Sequence, residues 1–207
     1  MNEGYREVLR SIGSSEPTPG GGSVAALSLA HAHSLAMMVA RLTIGKEKWE
    51  EGHEAAQFVI SKSQVGVEEA IRLAEIDAEA FDSVMAAYRL PRESEDQKEA
   101  RKSIIREATI GAAEAPLSTA SSASELLSSL EIMCTSCNSN ALTDLASASE
   151  LALSAVNMAA MNVRINLDFI KGEDVERLSS QIDEVVHKST TSADAIRLNV
   201  NERLGWR

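Results

Sequence analysis

The chain has 207 residues, a formal net charge of -11 at pH 7, and 44% hydrophobic but only 3% aromatic residues. That length fits one domain over residues 1-207 with one core, and the acidity excludes nucleic acid, whose phosphates need clustered Lys and Arg to displace counterions. A core of Ala, Leu, Ile, Val and Met removes little apolar area per residue, which predicts an oligomer in which subunit contacts complete the burial.

The opening MNEGYREVLRSIG is amphipathic and has no apolar signal region, so a cytoplasmic protein is expected. SSEPTPGGGS then supplies breaker residues before a helix expected over about Ser23 to Ile44. Gly22 to Ala40 contains no Lys, Arg, Asp or Glu and is almost long enough to span a bilayer. His31, His33 and three serines interrupt it, so a buried core helix explains it better and no membrane partner is expected. Gly45 ends that helix, a second is expected from about Glu50 to Leu90, and Pro91 stops it. A helix from about Glu93 meets Pro116, which should kink or break it, and the pattern resumes from Leu117 to Met133. After the polar CTSCNSN come a small-residue helix from about Ala141 to Ile170 and an amphipathic one from about Asp174. No strand-like alternation appears. The fold class is therefore all-α, a mostly antiparallel bundle of about six helices.

Gly20, Gly21 and Gly22 leave backbone donors bare where a helix N-terminus concentrates about half a positive charge, a candidate anion pocket. Ser23 is its N-cap or a first-turn hydroxyl donor; a turn needing glycine only for its dihedral angles is the competing reading. It is not a P-loop, because Gly45-Lys46 is followed by Glu47. Lys46 and Lys48 suit helix capping, or one of them binds a carboxylate. Asp77 precedes Phe81 by four residues, so acid and aromatic share a helix face where partial burial would raise the carboxyl pKa, as proton transfer needs. Asn140 and Asp144, also four apart, with Asn138 before them, offer a cap or a ligand contact. Asn162 and Asn166 repeat the spacing and are expected to satisfy one another, with Arg164 placed to pair with Asp168. Cys134 and Cys137 have redox or half-zinc spacing without the accompanying pattern, so packing is favoured and no metal is expected. His31 and His33, two apart on a helix, point in different directions, unlike a metal pair.

The segments PTPGGGSVAAL from Pro17, LTIGKEKW from Leu42, DAEAFDSVMAAYRLP from Asp77, AAEAPLSTA from Ala112, NSNALTD from Asn138 and NVRINL from Asn162 occur together in this order. With them the chain resembles the formiminotetrahydrofolate cyclodeaminase family, which includes a methenyltetrahydrofolate cyclohydrolase branch. Cys137 stands where that family commonly has Gly, and Thr143 where it commonly has Ser. The resemblance implies an all-helical homodimer and a reduced folate, polyglutamylated or not, as substrate, with no separate cofactor. The implied reaction converts 5-formiminotetrahydrofolate to 5,10-methenyltetrahydrofolate and releases ammonia. Hydrolysis of the methenyl bridge is the alternative, and non-catalytic folate binding a further one. In that chemistry Asp144 or Asp77 would shuttle the proton, Gly20, Gly21, Gly22, Ser23 or Lys46 would hold the anionic tail, and Asn138 and Asn140 would contact substrate. Tail binding is then expected to weaken with salt. With no transferase domain preceding it, a formimino substrate would be supplied by a separate enzyme.

Overall fold

The computed structural model describes residues 3–206. They form six long helices: α1 (Glu3–Ile12), α2 (Gly21–Thr43), α3 (His53–Tyr88), α4 (Glu95–Met133), α5 (Leu142–Leu167) and α6 (Glu173–Leu204). No strand occurs among the described residues, and short 3-10 turns precede α3 and α5. The expected all-helical bundle is the observed one.

Cross-contacts fix the directions. Ser23 meets Asp77 and His33 meets Ser63, so α2 and α3 are antiparallel. Gly21 lies against Asn162, while Thr43 and Leu42 bond Asn138, so α2 and α5 are antiparallel too. Lys62 reaches Glu125 across the antiparallel α3 and α4. α6 runs with α4, through Arg106–Asp174 and Glu114–Arg177, and against α5, through Arg164–Asp183 and Arg197–Glu150. Arg164 therefore pairs with Asp183 rather than with Asp168, because α6 brings its carboxylate alongside.

α2 is the central helix, packed between α3 and α5. Its small and apolar side chains serve that packing: Ala25, Leu29, Ala32, Ala36 and Val39 are all fully buried. By length and composition alone it could cross a membrane, but 56% of its most apolar window lies inside the fold. Alanines facing one another let the helices approach closely. The left-handed backbone at Gly45, with φ 76°, stops α2 at its far end.

One expectation changes, and one open alternative is resolved. α4 does not break at Pro116; it runs unbroken from a Ser94–Gln97 capping box to Met133 with Pro116 buried inside. The missing proline N–H leaves the Ala112 carbonyl, four residues earlier, without its helical donor. Asn166 on α5 supplies one, donating from Nδ2 to Ala112 O at 2.7 Å. α2 also starts at Gly21 with Gly20 as cap, so Ser23 is a first-turn donor and not the cap.

Candidate active site

The glycine run, α3, α4 and α5 enclose a cleft of about 550 Å³ at the N-terminal end of α2, within the size range of small-molecule sites. Gly20, Gly21 and Gly22 form one side, Asp77, Phe81 and Tyr88 another, Thr109 and Ala112 the floor from α4, and Asn162 and Asn166 the α5 wall. Ile165 and Phe169, both more than half exposed, stand at its rim.

Asp77 is the acid of this cleft. Ser23, fully buried, donates its hydroxyl to Asp77 Oδ2 at 3.0 Å, and the Ser23 amide adds a second hydrogen bond. Burial pushes the Asp77 carboxyl above its ordinary value, against the lowering effect of both Ser23 donors. The glycine run explains how the acid can sit so close. A Cβ on Gly22 would collide with the Asp77 carboxylate, so the residue is glycine because another side chain needs the space. The anion expected at this helix terminus is thus partly supplied by the chain itself, and the first-turn donors serve Asp77 before any ligand.

The two asparagine amides do not satisfy one another; both donate to main-chain carbonyls. Asn162 donates Nδ2 to Met158 O, and Asn166 donates to Ala112 O and Asn162 O. Neither Oδ1 has a partner among the described residues, which leaves two acceptors in the cleft wall beside Asp77. A cation near the cleft that sequence reasoning passed over is Arg101. It donates to Tyr88 O at 2.9 Å and lies over the Tyr88 ring at 5.6 Å, placing a cation next to a lining aromatic. Its pairing partner is thirteen residues away across the turn from α3 to α4, so no i, i+4 signal could have found it.

The other expected site residues lie at the opposite end of α2. Lys46 is exposed just beyond the α2 C-terminus, and its carbonyl is within hydrogen-bond distance of His53 Nε2 at 3.2 Å. Asn138 is buried and structural: its Nδ2 donates to Leu42 O, its N–H to Thr43 Oγ1, and its Oδ1 accepts from Asn140 N. Asn140 falls in the 3-10 turn before α5, exposed, and Asp144 is half-buried in the first turn of α5. Asp144 makes no hydrogen bond or ion pair among the described residues, and the positive helix end suits its charge. Eighteen residues of α5 separate Asp144 from Asn162, roughly 27 Å at 1.5 Å per residue. One chain therefore does not bring these residues to the Asp77 cleft.

The remaining candidates are structural. Cys134 and Cys137 are free and buried, and burial pushes the Cys134 thiol up to about 11. Arg203 donates to the carbonyl oxygens of both, at 2.5 and 2.6 Å, so the segment serves to dock α6. His33 is buried with Nδ1 3.1 Å from Ser63 Oγ, and burial lowers its pKa to about 4.

Residues 4–184 match the family model described as formiminotransferase-cyclodeaminase. The methenyltetrahydrofolate cyclohydrolase of Methylorubrum extorquens is 37% identical over 165 residues, covering 80% of this chain and 79% of that protein. The formimidoyltransferase-cyclodeaminase of Gallus gallus is 30% identical over 174 residues, covering 84% of this chain but only 32% of that longer protein. The crystal structure of formiminotetrahydrofolate cyclodeaminase from Thermotoga maritima superposes with a TM-score of 0.80 at 26% identity, over 97% of this chain and 94% of that one. The match of fold, of coverage and of sequence places this chain in the formiminotransferase-cyclodeaminase family.

Proposed function

We propose that the chain is an enzyme acting on the one-carbon bridge of a reduced folate, with Asp77 as the proton shuttle. The observation that carries this is the carboxyl itself: held by Ser23, raised by burial, and facing a cleft with aromatic edges and amide acceptors. A group that must both take and return a proton near neutrality works best with a pKa moved toward the working pH. A tetrahydropterin presents ring N–H donors, which the Asn162 and Asn166 oxygens can accept, and a flat face for Phe81 or Tyr88.

Two reactions share this requirement. In hydrolysis, water adds to the methenyl carbon while Asp77 takes its proton. The carbon–nitrogen bond then breaks with a proton delivered to the departing ring nitrogen, leaving a formyltetrahydrofolate. In the cyclodeaminase reaction the bridging nitrogen attacks the formimino carbon, loses its proton to Asp77, and ammonia leaves carrying a proton back. The cyclohydrolase relative from Methylorubrum extorquens, similar along most of both chains, favours hydrolysis as the first reading and ammonia release as the second. Methenyltetrahydrofolate absorbs in the near ultraviolet, so one assay with both folates separates them: the band disappears in hydrolysis and grows in cyclisation. Replacing Asp77 by Asn should lower turnover about a hundredfold with the helical fold intact. Full activity in that variant would overturn the assignment.

The same proposal includes an anionic tail, single or polyglutamylated. Arg101, stacked over the ring of the lining Tyr88, is a cation within one chain that could meet such a tail, so Arg101→Ala should raise KM more for longer tails, and salt should weaken binding. It also includes a homodimer in the cytoplasm. The oligomer is supported by the alanine-rich core.

A further inference from the structure

A second cavity, of about 510 Å³, opens between α3 and α4 over the middle of α2, and shares no lining residue with the Asp77 cleft. Its base is apolar, built from the buried Leu29, Val59, Ala70, Leu73 and Leu126. His33, which takes no part in the Asp77 cleft, sits at that base and is only 7% exposed. Ser63 Oγ lies 3.1 Å from its Nδ1 and has no other acceptor among the described residues, so the hydroxyl proton goes to Nδ1. Burial keeps the ring neutral near pH 7, and a neutral imidazole that accepts at Nδ1 carries its own proton on Nε2. That Nε2 donor has no partner among the described residues, yet it is not sealed from solvent.

The walls keep that donor uncovered. A Cβ on Gly66 would stand 2.5 Å from both Nε2 and Cε1 of the ring. Glycine is unfavourable in a helix interior, so this α3 position gives up helix stability to leave the ring edge bare. Ser122 on α4 is a second unused group. Its neighbours Ser121, Ser128 and Ser129 each donate to the carbonyl four residues earlier, whereas Ser122, half-buried in the cavity wall, makes no hydrogen bond among the described residues. Charge at the mouth is unequal. Glu125 is held by Lys62 at 3.8 Å and Glu69 by Arg72 at 3.9 Å, but Lys188 of α6 has no ion pair among the described residues.

We propose that this cavity is a second ligand site, for a small carboxylic acid whose apolar, ring-containing body carries one neutral carbonyl acceptor. The carbonyl accepts from His33 Nε2 at the base, the apolar body fills the space between Val59, Leu73 and Leu126, and the carboxylate stays at the mouth beside Lys188. The reverse orientation would bury the carboxylate against a neutral ring among apolar walls, where an unpaired charge is costly. At the mouth it keeps its water and meets a cation that no carboxylate of this chain answers. The volume lies within the range of small-molecule sites, and an apolar lining with a few placed polar groups is the make-up such sites have. This site does not depend on the chemistry proposed for Asp77.

The probe is 4-benzoylbenzoate, which has two rings, a ketone between them and one carboxylate, and whose ketone inserts into adjacent C–H bonds under near-ultraviolet light. Irradiated with the full chain, it should label positions 58–73 of α3 and 122–129 of α4, and the labelling should saturate. Calorimetry should show 4-benzylbenzoate, with a methylene in place of the ketone, binding about tenfold more weakly, because it leaves the Nε2 donor unanswered. Lys188→Glu, a change at an exposed position, should weaken both acids by about fivefold or more. Ser122→Phe fills the cavity from its wall and should abolish saturable labelling with unchanged helical circular dichroism. His33→Phe should bind the two acids alike; if that chain does not fold, the ratio of the two affinities in the parent decides. No saturable binding, equal affinity of the two acids in the parent, an unaffected Lys188→Glu, or labels confined to the Asp77 cleft or to the outward side of α2 would overturn the assignment.

Discussion

Position 22 is held at glycine by a carboxylate fifty-five residues later in the chain. Asp77 fills the volume where a Cβ would stand, so Gly22→Ala should push the acid out of its Ser23 hydrogen bond. The expected cost is about 1–3 kcal/mol by urea denaturation, with at least tenfold lower turnover. Adding Asp77→Ala should restore the stability and not the activity; if the two changes were simply additive in stability, the steric account would fail. Gly22, Ser23 and Asp77 were each conspicuous in the sequence, but their meeting was not, because no local spacing links a helix N-terminus to the middle of the next helix. His33 makes a second, separate prediction. Its folded pKa is about 4 against the ordinary imidazole value of 6.5, so the unfolded chain binds the proton first as pH falls. The stability this contributes is complete above 6.5 and is lost down to about 4, an amount of about 3 kcal/mol. Chemical denaturation at pH 7 and pH 4 should show a loss of stability on acidification that is larger in the parent than in His33→Asn by about that amount.

Among the elements, Pro116 shows why a break, one of the two expected outcomes, does not occur, for a reason that lies on another helix. Proline removes one donor and leaves one carbonyl bare, and a chain read alone has no way to satisfy that carbonyl. Asn166 satisfies it from α5, which keeps α4 whole and simultaneously pins an asparagine in the cleft wall. Pro116→Ala returns an N–H that competes for Ala112 O and releases Asn166. Stability should change by no more than about 1 kcal/mol, while KM for the folate rises severalfold at constant kcat. Asn166→Ala alone should cost about 1–3 kcal/mol, since it strands a buried carbonyl, and should cost distinctly less when Pro116→Ala is also present. An equal cost in both backgrounds would detach the proline from the asparagine. The other helix boundaries were legible to within a few residues because Gly20, Gly45, Pro91 and Gly172 punctuate them.

At the scale of the molecule, the cleft is a consequence of how closely α2 and α5 approach. Composition disclosed the small-residue core, but not that the spacing it sets would open a site at one end and leave Lys46 and Asp144 at the other. Gly21 shows how narrow the gap is: a Cβ there would come within 3.3 Å of Asn162 Nδ2. Ala152 lies midway along α5, fully buried in one cluster with Ala32 and Ala36 of α2. Interiors this dense do not absorb three extra carbons locally, so Ala152→Leu must either strain rotamers or part the two helices. Parting them tilts the α5 wall away from the glycine run, well removed from the substituted position. The expected result is a loss of about 1–3 kcal/mol together with a lower kcat/KM, because Asn162 and Asn166 no longer face Asp77 at the right distance. Ser147→Leu, one turn along α5 but exposed, should change stability by no more than about 0.5 kcal/mol and leave activity alone. If Ala152→Leu lowered stability and kept full activity, helix spacing would not set the site, and the cleft would owe its shape to the glycine loop alone.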